Sequence, residues 1–312
     1  MLALLRDRIA GRENLSNTDD VGQKQVAVQD FWNQKPCDSD MSTKEPGVRV
    51  YYEEIEQDRY TYQGHINRIM DWVPWEGKRV LEIGTGVGTD ARNIIRRGGL
   101  YLGINVDQGS VDATKKALDA FGLEGEVKKC SATELFLPDG SVDIVYSFGV
   151  IHHIPEAATA VSEIGRVLRP GGELLIMVYN RTSINYKLEI LVLRKMFVRL
   201  LRIPGLIKLL ALVGLPEGKL KRHSEIFSAN KNMSDEEWLS RNTDGPDNPY
   251  SLVYGQREIE ELLHAFEVKK NEVFYFDARH WGILGKLLPK SLVEFLGARY
   301  GWHRVIYAVK PD

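Results

Sequence analysis

Residues 79–90, Arg79-Val-Leu-Glu-Ile-Gly-Thr-Gly-Val-Gly-Thr-Asp90, constrain the fold more than any other stretch of the chain. Val80, Leu81 and Ile83 form a short apolar run whose β-branched members favour a strand. Gly84, Gly86 and Gly88 follow on alternate positions, and a helix-like stretch runs from Ala91. Strand, glycine turn and helix in that order read as the first βα turn of a doubly wound α/β sheet. Glycine is needed there because the backbone turns tightly and presses against a ligand, where a Cβ would clash. A dinucleotide site asks for G-x-G-x-x-G, with a pyrophosphate on the helix N-terminus. The spacing here is Glu82-x-Gly84-x-Gly86-x-Gly88, which argues against a nicotinamide-dependent oxidoreductase.

The alternation of strand and helix continues downstream. Residues 100–104 read as strand two, ending at Asn105, Val106 and Asp107. In nucleotide-type sites an acid about 20 residues past the loop accepts the ribose hydroxyls. Asn105 stands at that place; its carbonyl accepts one such bond without the strength a charge adds. Asp107 reads as the N-cap of a helix over 111–121. Strand three, 125–130, leads into Ser131, Ala132 and Thr133. Pro138-Asp139-Gly140 has turn chemistry. Strand four, 142–147, is apolar apart from Asp143, as suits a central parallel strand. It runs out through Ser147, Phe148 and Gly149 to His152 and His153. A helix over 155–168 is stopped by Arg169-Pro-Gly-Gly172, and strand five covers 173–179.

These four blocks, in this order over about residues 76–180, resemble the motifs of class I S-adenosylmethionine-dependent methyltransferases. The run Gly103-Ile104-Asn105 is similar to that of methyltransferases acting on lipids, sterols or quinone-like compounds, the type 11 and ubiquinone–menaquinone kind. The resemblance implies a mostly parallel, seven-stranded Rossmann-like sheet with an α-helical cap insertion. It implies S-adenosyl-L-methionine as cofactor, with the glycine loop around its methionine end and no phosphate bound. On that basis the cofactor contacts are Glu82, Gly84, Thr85, Gly86, Gly88, Asn105, Val106, Ser131, Ala132, Thr133, Ser147 and Phe148. Ser131 stands where the family usually has an acid for the adenine amino group. The implied activity is transfer of a methyl group to a small molecule, hydrophobic or lipid- or quinone-like, by in-line displacement. The alternatives are a cofactor-binding protein without turnover and the oxidoreductase disfavoured above.

His153 and His152 follow strand four and stand nearest the reacting methyl, so they are candidate bases, with Tyr179 behind them. The competing reading is that one packs under the next helix and the other caps a loop. Adjacent histidines point apart, so no metal site is expected. Tyr51, Tyr60, Arg181, Asn248 and Tyr254 are candidate substrate contacts. Asp244 and Asp247 join Asn248 and Tyr254 as candidate lining of a polar pocket; against this, tyrosines before the sheet pack helices, and Asx-turns satisfy residues such as Asp244, Asp247 and Asn248.

The chain divides into an N-terminal helical cover (1–75), the cofactor-binding core (76–182), a helical insertion (183–255) and a completion of the sheet (256–312). Within the cover, a short helix and a linker are expected over 1–25 and helices over 24–35 and 53–72. Residues 186–215 are apolar but carry Lys187, Arg194, Lys195, Arg199, Arg202 and Lys208, and Pro204-Gly205 splits them into two amphipathic helices. They read as a substrate cap, a peripheral contact with an anionic membrane, or plain packing with the basic heads in water. A net charge of −2 gives no reason to expect nucleic acid. Two cysteines, Cys37 and Cys130, fit a reducing cytoplasm, and no stretch is long and apolar enough to span a bilayer.

Overall fold

The computed structural model describes residues 18–212, 214–229, 233–281, 285 and 287–312. The short helix expected at the start of the chain lies outside the described residues. Seven strands form one sheet: β1 (Arg79–Ile83), β2 (Leu100–Asn105), β3 (Glu126–Lys129), β4 (Val142–Phe148), β5 (Leu168–Tyr179), β6 (Glu267–Phe274) and β7 (His303–Val309). Their order is β3-β2-β1-β4-β5-β7-β6. The five strands from β3 to β5 are parallel, and β7 runs antiparallel to both its neighbours. This is the doubly wound arrangement read from the glycine loop, with its order reversing between β1 and β4.

Alternate residues of the central strands feed two cores, one on each face. Leu81, Ile83 and Val145 point to one side with Ile164 and Leu174. Val80, Ile144 and Tyr146 point to the other with Ile66, Met70 and Ile94. Each such aliphatic side chain, fully buried, contributes about 1.5–3 kcal/mol of transfer free energy.

The region before the sheet is more helical than its residues suggest. Thr18–Gln34 is one helix, so the expected linker through residue 25 is instead helix from residue 18. Pro36 stands just past its end, as a residue that cannot continue a helix should. The β-branched and aromatic run after Pro46 lies in a second helix, Arg49–Tyr62, rather than ahead of it. Tertiary packing overrides propensity: Tyr51, Tyr52 and Ile55 bury one face against Val87 and Ala117. The helix expected over 53–72 is broken at Gln63 and Gly64, and a short helix, His65–Met70, follows.

In the insertion, a π-helix (Asn185–Arg194) passes into the helix Lys195–Leu200. Pro204 and Gly205 separate it from the helix Leu206–Leu212, as expected. Glu217–Ala229 and Asp235–Ser240 complete the insertion, the latter started by a Ser234–Glu237 capping box.

Candidate active site

A cleft of about 230 Å³ opens at the carboxyl ends of β1, β2 and β4, where the sheet order reverses. Open α/β sheets bind ligands at this place. Its floor is the glycine loop. Gly84 has φ +84°, and a Cβ there would lie 2.1 Å from Val150, so the loop and the segment after β4 approach as only glycine allows. Gly86 has φ +53° and itself lines the cleft. Gly88 does another job: its missing side chain lets the next helix pack against Thr114 and Ala117.

Of the expected cofactor contacts, Glu82, Gly84, Thr85, Gly86, Asn105, Val106, Ser131, Ala132 and Phe148 line the cleft. Gly88, Thr133 and Ser147 do not. Ser147 is fully buried and donates its hydroxyl to the Ile83 carbonyl, bracing β4 against β1. Thr133 reaches Ser131, their hydroxyls 2.7 Å apart. Asp107 caps the next helix by accepting from the Ser110 amide, as read from the sequence.

Helix Thr18–Gln34 lies over the mouth. Gln25 donates to the Ser131 hydroxyl at 3.2 Å, and Val28 and Trp32 face the cleft. The second helix contributes Arg59, which lines the same space. Arg59 forms ion pairs with Asp90 at 2.7 Å and Asp38 at 2.8 Å. Tyr60 and Tyr146 both donate to Asp90 at 3.0 Å. Burial opposes the Arg59 charge, and Asp90 and Asp38 more than offset it, so the guanidinium stays firmly protonated. Burial, reinforced by the Asp90 charge, pushes Glu82 up to about 8, although Tyr101 donates a hydrogen bond to its carboxylate. Glu82 therefore sits beneath the loop as a carboxyl group that holds a proton near neutrality.

The far wall carries the histidines. His153 lines the cleft and is fixed on both sides. Its Nδ1 lies 2.8 Å from the Tyr250 carbonyl, which only accepts, and 3.0 Å from the Ser251 hydroxyl, so Nδ1 carries a proton. Asp244 Oδ2 stands 3.5 Å from its Nε2 and also accepts from the Tyr179 hydroxyl at 3.0 Å through Oδ1. Asp244 and Tyr179 both line the cleft. His152 is elsewhere: fully buried off the cleft, 3.7 Å centroid to centroid from Tyr179, with neither ring nitrogen hydrogen-bonded among the described residues. Burial and then the neighbouring His153 hold it neutral. Two further histidines, His65 and His303, face each other at 3.0 Å, and burial drives His65 down to about 3.

None of the five expected substrate contacts lines the cleft. Tyr51 donates to the Ser39 carbonyl, and Tyr60 is held by Asp90. Arg181 pairs with Glu258 at 2.7 Å. Asn248 is buried in a network with Thr243 and Ser251, and Tyr254 belongs to the core. Among the residues that line it without a local signal are Arg59 and His303, together with Cys37 and Asp38; Asp90, at the end of the glycine motif, lines it as well.

Residues 81–176 match the family model described as a methyltransferase domain. Over this stretch the chain carries a methyltransferase domain. Over 107 residues the chain is 36% identical to a probable S-adenosylmethionine-dependent methyltransferase of Mycolicibacterium smegmatis, covering 34% of this chain and 40% of that protein. Over 119 residues it is 31% identical to the ubiquinone biosynthesis O-methyltransferase of Alkalilimnicola ehrlichii, covering 37% and 47%. The chain thus spans less than half the length of these curated relatives. The methyltransferase fold extends further than the sequence match. Geranyl diphosphate C-methyltransferase of Streptomyces coelicolor, solved with S-adenosyl-L-homocysteine, superposes with a TM-score of 0.53 at 12% identity, covering 93% of this chain and 98% of that one. Magnesium protoporphyrin IX methyltransferase of Synechocystis gives 0.52 at 15%, covering 92% and 99%.

S-adenosylmethionine is the cofactor of this domain family, and the residues present fit it. The glycine loop forms the cleft floor, and a Cβ on Gly86 would project to within 3.4 Å of Cys37. Asn105 and Val106 at the end of β2 and Ala132 after β3 line the same space.

Proposed function

We propose that the chain is a methyltransferase that modifies a hydroxyl group of a small molecule, with His153 as the base. When bound, S-adenosylmethionine supplies an electrophilic methyl group on a sulfonium. Glu82, the glycine loop, Asn105 and Ser131 hold it, and Trp32 and Val28 keep water away. The acceptor hydroxyl gives its proton to His153 Nε2. Held there, the sulfonium would supply the methyl group that this oxygen takes up, and would leave as a neutral thioether. Asp244 then faces an imidazolium and stabilises it. Alignment of this kind supplies up to roughly 7–11 kcal/mol of barrier reduction in favourable cases. The observation that carries the reading is His153 in the cleft wall, its Nδ1 engaged by the Tyr250 carbonyl and its Nε2 turned toward Asp244, which lines the same cleft. Incubation with methyl-labelled cofactor and cell extract, followed by separation of polar and lipid fractions, tests it. Label absent from every fraction refutes it.

A membrane-surface role for the insertion has its own support. Leu188, Val192, Met196, Leu200, Leu209 and Leu212 are exposed, Leu212 to 83%. Residues 186–215 hold six lysines and arginines against one acid, Glu189. An apolar face with a basic surround suits the boundary of an anionic bilayer. No helix among the described residues is long and apolar enough to cross one.

A further inference from the structure

Behind the cleft lies a second chamber of about 160 Å³. The two spaces share four wall residues, Gln63, Tyr179, Asp244 and His303. The π-helix of the insertion supplies Asn185 to the chamber, and the turn after the helix Asp235–Ser240 supplies Asn242. Both are 2% exposed. Both polar atoms of Asn185, Oδ1 of Asn242 and Oε1 of Gln63 have no hydrogen-bond partner among the described residues. Buried polar groups are almost always paired, and each exception calls for a reason. Here four such atoms line one small space, so a molecule that enters it is the partner they lack.

We infer that this chamber is the acceptor subsite and that it takes an uncharged, hydroxyl-rich group, sugar-like or polyol in character. The inference rests on the methyltransferase reading and names its substrate class. The free atoms are three carbonyl oxygens and one amide nitrogen, three acceptors with one donor. A hydroxyl both donates and accepts, so a set of hydroxyls satisfies this mixture. A phosphate or carboxylate offers no protons to the three acceptors and would stand beside three wall carboxylates, Asp244, Glu189 (paired with Arg194) and Asp277 (accepting from the Tyr275 hydroxyl). An ammonium cannot accept from Asn185 Nδ2. Trp302, whose ring stacks on Tyr179 at 4.3 Å by centroid, adds an apolar wall suited to the C–H face of a saturated ring. A hydroxyl at the shared boundary meets Asp244 and the Nε2 of His153.

The test is calorimetric titration of the full chain, with and without S-adenosylhomocysteine, using a panel of neutral aryl glycosides and inositols. An aryl glucosaminide and an aryl glucuronide serve as cationic and anionic counterparts. The expected result is that at least one neutral member binds ten times or more tightly than either charged counterpart. Asn185→Leu should weaken that binding tenfold or more, leave S-adenosylhomocysteine affinity within twofold, and raise the melting temperature, because it removes two unpaired buried atoms. That rise also shows the variant is folded. Tighter binding of the amine or the acid, no binding by any neutral member, or indifference to Asn185→Leu overturns the assignment and leaves the chamber a water pocket. Failure of S-adenosylhomocysteine itself to bind strikes the methyltransferase reading instead, and is read separately.

Discussion

Arg59 and Asp90 meet at 2.7 Å, and the contact ties the helix before the sheet to the first turn of the helix after the glycine loop. Both side chains are nearly buried, Asp90 to 5% exposure. Removing one member leaves an uncompensated charge, which costs about 3–5 kcal/mol in such pairs. Arg59→Leu strands two carboxylates, Asp38 and Asp90, and should lower the urea midpoint accordingly. Arg59→Lys keeps the charge without the fork and should recover part of the loss. An unchanged midpoint in Arg59→Leu would mean the pair is a surface contact.

Glu82 makes stability depend on pH. Its carboxyl rises from 4.5 in the open chain to about 8 in the fold. Between those values the folded protein keeps a proton that the unfolded chain has released. Stability therefore falls as pH rises through that window and levels off above it. Melting curves of the ligand-free protein across the window should show the decline, and Glu82→Gln should flatten it. A wild-type profile already flat there would place the carboxylate in contact with water.

His153→Gln should reduce kcat by roughly 10²–10⁴, the usual share of a general base. The affinity for S-adenosylhomocysteine should stay near wild type, because the substitution leaves the glycine loop untouched. Asp244→Asn should reduce kcat less, since it weakens stabilisation of the imidazolium without removing the base. Equal loss of kcat and cofactor affinity in His153→Gln would assign the ring to cofactor binding.

Gly86→Ala forces a Cβ onto a backbone at φ +53°. The strain costs about 1–2 kcal/mol, which the fold should survive. The same methyl group enters the cleft, so S-adenosylhomocysteine should bind at least tenfold more weakly, about 1.4 kcal/mol. Equilibrium dialysis reads this directly, and wild-type affinity would mean the loop does not touch the cofactor.

If the insertion rests on anionic lipid, Leu200→Glu with Leu212→Glu should abolish sedimentation with phosphatidylglycerol vesicles. Both leucines are at least half exposed, so the melting temperature should barely change. Binding of the wild type to neutral phosphatidylcholine vesicles with equal strength would remove the electrostatic part of the argument.

The sheet was legible because its signals are local. Val80 to Gly88 carry strand and turn in nine consecutive residues, and Asn105 and Ser131 follow at strand ends that any parallel sheet brings together. The walls of the cleft were not. Arg59 and His303 come from distant segments, and nothing near Arg59 marks it as the partner of Asp90, at the end of the glycine motif 31 residues on. Tyr51 and Tyr60 look like ligand contacts in sequence because exposed and buried tyrosines are spelled alike; only packing tells them apart. His152 and His153 differ in the same way. A single residue of chain separates a ring locked in the core from one open to the cleft.

The position of β7 carries a consequence for biogenesis. Residues 303–309 fill the gap between β5 and β6, pairing with both. While the ribosome still holds that segment, β5 has no neighbour on its outer side and β6 has nowhere to dock. A nascent chain halted just short of it would display a long apolar edge, open to recruitment by chaperones or by another unfinished copy.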